Sequence, residues 1–391
     1  MTPARPRRWP KRLLALALGY LALEVALLPW LAGRAPLRLS SRLPAPMYVL
    51  GESSKAGLLP RDWVLVLGDS FAGGYGDWLT EALAQPGRPS FQATHVLHER
   101  TGRDVLSLGT GGADNVSSTA YLASKRFAAL RRVGLSDPSD VLVYFYEGND
   151  LNDNLRLARR RFELEQRGLA GYSDADLDRW IERRARAGSW AGLSGTFFAP
   201  YMLANVLGGK AQGGTTGETK SELRLSEQPF PAPPEVNVFR AGQWYAHLPG
   251  EGRGPSLDLT EAETELALRL LAGSLRWTRQ RFVGARFALV YIPSPMACYE
   301  FSSPRVCVRS YEERESLYGA SAARPRSDEL RERVERIAAE CGFGWIDATP
   351  RVREAARADL LHGPRDFGHF NRAGYTLLGE ILAEGLASAR P

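Results

Sequence analysis

The sequence is poor in the residues that build disulfide scaffolds and metal centres. It holds three cysteines and five histidines among 391 residues. A disulfide framework is excluded at that density, and a zinc-type ligand set has little to draw on. His95 and His98 stand one helical turn apart, but no further clustered ligands accompany them. No phosphate loop or dinucleotide fingerprint is present, and Gly73-Gly74-Tyr75-Gly76 has the wrong spacing for either. No basic stripe interleaved with aromatics occurs, so nucleic acid is not expected as a partner. Internal repeats are absent. Neither metal nor cofactor is expected.

What is present is an ordinary globular composition, 44% apolar and 24% charged, with a mild net charge of +6. Much of the positive charge is local. Arg5, Arg7, Arg8, Lys11 and Arg12 precede Leu13 to Ala32, which is apolar except for Glu24. That run is long enough to cross a bilayer as a helix, and it ends in a poor match to a cleavage site. The expectation is a cytoplasmic basic segment over 1–12 and a transmembrane signal anchor over 13–33. A juxtamembrane tether over 34–61 follows, and the remainder lies outside the cytoplasm. Cleavage of the anchor stays open. In an extracytoplasmic chain, Cys298 and Cys307 are candidates for a disulfide, with three free thiols as the alternative.

From residue 62 onward, short apolar runs alternate with helical patterns. Trp63 to Leu67, Val105 to Leu108, Val141 to Tyr146, Phe287 to Ile292 and Gly344 to Ile346 read as buried parallel strands. Residues 77–100 read as broadly helical, and Asn115 as the cap of a helix running to about Arg132. Thr260-Glu-Ala-Glu263 is a capping box, and helices are expected at 327–341 and 373–387. Five such strands with intervening helices predict an α/β fold, a parallel sheet covered on both faces. The alternation pauses at about 155–255, which reads as a large insertion. That stretch has an aromatic run over 190–207 and a Gly- and Ser-rich loop over 208–234.

In such a sheet the carboxyl ends of the strands hold the site. The polar residues collect there: Gly68-Asp69-Ser70, Gly109 to Gly112, Gly148-Asn149-Asp150, and a late loop with Asp366 and His369. A nucleophilic serine needs a base, the base needs an orienting carboxylate, and an oxyanion needs donors. Singly, each piece has a plain explanation, such as a turn glycine or an Asn bonding its own backbone. Together and in order they resemble the four blocks of the SGNH, or GDSL-type, hydrolase superfamily. Two departures stand out: Glu147 occupies the place of that family's third-block glycine, with Gly148 adjacent, and the insertion is large.

The resemblance implies a three-layer α/β/α fold with a five-stranded, flavodoxin-like parallel sheet. It implies a catalytic Ser70 with His369 as base and Asp366 as its orienting group. Oxyanion donors would be the N–H groups of Ser70 and Gly112 and the side-chain amide of Asn149. The activity implied is ester hydrolysis through an acyl-enzyme, by analogy with membrane-tethered relatives on acetyl esters of a cell-surface carbohydrate. Polysaccharide O-acetyl transfer, lipase or thioesterase activity, and a non-catalytic scaffold in an exopolysaccharide assembly remain alternatives. The expected partners are an acylated small molecule or polysaccharide and a membrane.

Overall fold

The computed structural model describes residues 9–27, 30, 49, 51–76, 88–131, 134–161, 171–193, 222–231, 234–312 and 314–388. Helix α1 (Trp9–Ala22) passes into a π-helical segment, Leu23–Leu27. Strand β1 (Val64–Leu67) leads into the single turn α2 (Ser70–Gly73). Helix α3 (Ala93–Thr101) and β2 (Val105–Ser107) follow. A π-helical segment, Ser117–Leu122, continues as α4 (Ala123–Leu130) and precedes β3 (Asp140–Tyr146). Next come α5 (Asp150–Arg161) and α6 (Asp174–Leu193). Three short strands follow: β4 (Arg224–Ser226), β5 (Val238–Ala241) and β6 (Trp244–His247). Helix α7 (Glu261–Arg281), β7 (Arg286–Ile292) and the turn α8 (Pro295–Cys298) continue the chain. Then β8 (Glu300–Phe301), β9 (Arg305–Arg309) and β10 (Glu315–Gly319) lead to α9 (Ala323–Glu340). The described chain closes with β11 (Gly344–Asp347), α10 (Thr349–Ala358) and α11 (Arg372–Ser388).

The central sheet is parallel throughout, in the order β11-β7-β3-β1-β2. All five expected strands are there. Alternate side chains enter separate cores, as the two-residue period of a strand requires. Leu65, Leu67, Val141 and Val143 pack with Phe127, Trp180, Ile181 and Leu271 from α4, α6 and α7. Val64, Val66, Leu142 and Tyr144 pack with Phe71, Leu97, Val352 and Leu378 from α2, α3, α10 and α11. Helices therefore cover both faces. The chain leaves β1 toward β2 on one side and β3 pairs on the other, so the crevice between the ends of β1 and β3 is a topological switch point.

The stretch 155–255 enters the fold in two ways. Leu155, Ala158, Leu177, Trp180 and Ile181 belong to the first core. Strands β4, β6, β5 and β8 form a small antiparallel sheet whose Phe239 packs with its ring 5.3 Å from that of Phe367. Most of the aromatic run and of the Gly- and Ser-rich loop, like 77–87, lies outside the described residues.

Three local expectations change. Of the anchor expected over 13–33, the described residues form the end of α1 and the π-helical segment around Glu24, and among the described residues no helix is long and apolar enough to cross a membrane; 28–29 and 31–33 lie outside them. Cys298 and Cys307 are buried thiols, not a disulfide, as is Cys341. Cys298 Sγ instead donates to the Ser294 carbonyl within its own turn, 3.1 Å away. The helical stretch that begins at Asn115 and runs into α4 is capped by Asp114, whose Oδ1 accepts from Ser117 N–H at 2.8 Å. Asn115 points inward, with Nδ2 on Asp150 and Oδ1 on Asn154, because its buried amide needs both partners satisfied. The Thr260–Glu263 capping box forms as the sequence predicts.

Candidate active site

The first strand delivers Asp69 and Ser70 to its carboxyl end. Asp69 caps α2, with Oδ1 accepting from Phe71 N–H at 2.9 Å, which turns the chain sharply and sets Ser70 at the first helical position. The late loop before α11 delivers Asp366 and His369. His369 Nε2 lies 2.8 Å from Ser70 Oγ, and His369 Nδ1 lies 2.8 Å from Asp366 Oδ2. The carboxylate at Nδ1 places the ring proton there, which leaves Nε2 to accept from the serine hydroxyl. Ser70 Oγ also lies 3.2 Å from Asp69 Oδ2. A hydroxyl has one proton to give, and the shorter contact to His369 is the better acceptor.

Two further contacts hold the imidazole. Phe71 packs 5.3 Å from the His369 ring and 4.1 Å from Tyr146. Tyr146, the last residue of β3, donates its hydroxyl to the Gly368 carbonyl at 2.9 Å. The loop carrying the histidine is thus tied to the end of the strand next to Ser70.

The turn after β3 explains the departure at Glu147. A Cβ on Gly148 would lie 2.4 Å from Tyr146 Cζ, so the folded-over tyrosine ring requires glycine at 148. Glu147 turns to the other side and is fully buried. Its carboxylate accepts from the hydroxyls of Tyr291 at 2.6 Å and of Ser294 and Ser327, both at 2.5 Å. Burial pushes its carboxyl pKa up, and these three donors oppose that shift.

The expected oxyanion groups are placed differently from one another. Asn149 Nδ2 donates to Asp69 Oδ2 at 3.3 Å, directly beside Ser70, and one of its two N–H groups remains. Asp69 is 3% exposed, and burial pushes its pKa up against the Phe71 N–H bond. Gly112 is exposed on the loop after β2 with φ +69°, and a Cβ there would meet nothing within 4 Å. Among the described residues no hydrogen bond joins it to Ser70.

Gly109 is the position that sequence reasoning left unassigned. A Cβ on it would lie 2.3 Å from Gly73 N and 2.4 Å from Ala72 C, so only glycine lets this loop close on the serine turn. Thr110 N–H donates to Gly68 O at 3.2 Å, and Ser107 Oγ donates to Ala72 O. Its place directly after the second strand was the available signal. The assembly can take a proton from a serine hydroxyl, hold the resulting imidazolium against a carboxylate, and present amide donors alongside. His95 and His98 stand apart from this centre, and no group of metal-ligating side chains occurs among the described residues.

No family model and no curated protein matches the chain. Among solved structures, it is similar to an extracellular lipase from Streptomyces rimosus at 13% identity, with a TM-score of 0.38, over 84% of this chain and 99% of that one. It is also similar to a phospholipase A1 from Streptomyces albidoflavus NA297 at 13% identity and a TM-score of 0.37, with the same coverage. Likeness at this level assigns neither family nor activity.

Proposed function

We propose that this protein is an SGNH-type serine hydrolase of ester bonds. The observation that carries the reading is the continuous chain from Ser70 Oγ through His369 to Asp366, both links 2.8 Å. Ser70 Oγ attacks the acyl carbon while His369 Nε2 takes its proton, and Asp366 stabilises the imidazolium. Ser70 N–H and Asn149 Nδ2 stand beside the serine to donate to the tetrahedral oxyanion, and Gly112 N–H joins them on the resemblance of the ordered blocks alone. Collapse expels the alcohol, which receives the proton from His369. Water then attacks the acyl-enzyme by the same route, releasing the acid and restoring Ser70.

The substrate class we propose is an acetyl ester of a cell-surface carbohydrate, on the resemblance of the ordered blocks. Helix α1 supports a membrane location. Its Leu13, Leu14, Leu16 and Leu18 are all exposed among the described residues, so a lipid surface is their natural cover; the basic residues before it put the catalytic part on the extracytoplasmic side in this reading. A carbohydrate hydroxyl replacing water in the second step would make the same centre an acetyltransferase.

The test is turnover of an aryl acetate together with labelling by a serine-directed phosphonate. Wild-type protein is expected to hydrolyse the ester and gain the phosphonate mass on Ser70. Ser70→Ala and His369→Ala are expected to lose at least about a thousandfold in kcat. Unlabelled Ser70 with no turnover sinks the proposal.

A further inference from the structure

The strap over 250–256 crosses the molecule beside the candidate centre, and its backbone is pinned along its length. Gly252 N–H donates to Cys307 O and its carbonyl accepts from Arg309 N–H, both at 3.0 Å. The Arg253 carbonyl accepts from Met296 N–H at 3.2 Å. Ser256 is buried and donates its hydroxyl to Asn152 Oδ1 at 2.9 Å, on the first turn of α5 just past Asn149 and Asp150. The strap therefore connects β9 to the turn that follows β3.

Arg253 projects from this fixed backbone toward the histidine loop. Its Cγ lies 3.5 Å from where a Cβ on Gly368 would sit, and that same point is 3.4 Å from Asp366 Oδ1. Its positive charge is the foremost charged influence on the buried Tyr146 phenol and acts on Asp153 as well. Neighbouring arginines are paired: Arg156 with Asp153 at 2.7 Å, Arg353 with Asp328 at 2.8 Å, and Arg309 with Glu251. Arg253 is partly exposed and, among the described residues, its guanidinium has no hydrogen-bond or ion-pair partner. A guanidinium carries five N–H donors in a planar fork suited to carboxylate or phosphate. Here its stem lies against the Asp366–His369 loop, with those donors unused.

Resting on the hydrolase reading, we propose that Arg253 is a specificity-determining residue that engages an anionic group of the substrate, a carboxylate or phosphate near the scissile ester. The charge can sit on the acyl side or on the alcohol side, and the experiment separates the two.

Two ester pairs provide the test on the full chain. para-Nitrophenyl hydrogen glutarate against para-nitrophenyl valerate varies charge on the acyl side. An acetylated methyl glucuronoside against the same ester of methyl glucoside varies it on the alcohol side. The expected result is a kcat/KM preference for the anionic member of at least one pair, falling as salt is raised. In Arg253→Gln that preference is expected to drop about tenfold to a hundredfold, chiefly through KM, with Arg253→Lys intermediate. Unchanged ratios in both pairs for Arg253→Gln, with turnover retained, overturn this inference and leave the hydrolase standing. No turnover of any of the four esters or of the aryl acetate by wild-type protein overturns both.

Discussion

Tyr146 shows how one side chain couples two loops of the site. Its hydroxyl holds the Gly368 carbonyl and its ring supports Phe71, which in turn packs on His369. Tyr146→Phe keeps the ring and deletes one hydrogen bond, a loss of about 0.5 to 1.5 kcal/mol. We expect kcat on an aryl acetate to fall about threefold to tenfold with KM little changed, because the imidazole loses a positioning contact and the substrate does not. A drop in unfolding midpoint with kcat intact would instead give Tyr146 a purely structural role. At this scale the sequence shows Ser70, Asp366 and His369, since motif residues at strand ends can be recognised one loop at a time. It does not show that Tyr146 reaches a residue 222 positions away, because that contact depends on how β3 and the last loop pack.

Among the elements, the buried strands were the most legible, since an unbroken apolar run bounded by turn residues is a local signal. Helix starts were less so. Asp114 and Asn115 are equally good caps by type, and only the buried neighbours Asp150 and Asn154 decide which one turns inward. Helix α1 is the element whose physical demand is most clearly unmet among the described residues. Its leucines are exposed on all sides, and each is worth roughly 1.5 to 3 kcal/mol when buried. The full chain is expected to float with phospholipid vesicles in a density gradient. Replacing Leu13, Leu14, Leu16 and Leu18 together by Ser is expected to leave it at the bottom, with aryl acetate turnover unaffected. Equal flotation of both proteins would remove α1 from membrane attachment.

The molecule as a whole buries ionisable groups whose effects on stability oppose one another. His362 is fully buried, and desolvation pushes its pKa down to about 3. Tyr299 donates to its Nδ1 at 3.1 Å and accepts from the N–H groups of Leu361 and His362, tying α8 to the loop before α11. The fold holds this imidazole neutral, so its contribution is complete above the ordinary value near 6.5 and is lost as pH falls toward 3. Glu147, Asp69 and Asp150 have raised pKa values from burial, so their contributions run the other way and fade as pH rises. The difference between wild type and His362→Gln isolates the histidine. From about pH 7 to about pH 4.5, wild type should lose about 3 kcal/mol more stability than the variant in urea denaturation. Parallel pH curves for the two proteins would refute it. By itself the sequence determined the five parallel strands and which loops end at one edge of the sheet, because apolar runs and turn residues act over a few positions. Only the tertiary structure decided that Gly109 closes on the serine turn and Asn149 reaches Asp69. It also decided that Cys298 stays a thiol, that Glu147 is held by three hydroxyls, and that the Arg253 guanidinium, beside Gly368, stands unpaired among the described residues. Each of those depends on segments far apart in the chain being packed together, and no local pattern encodes that distance.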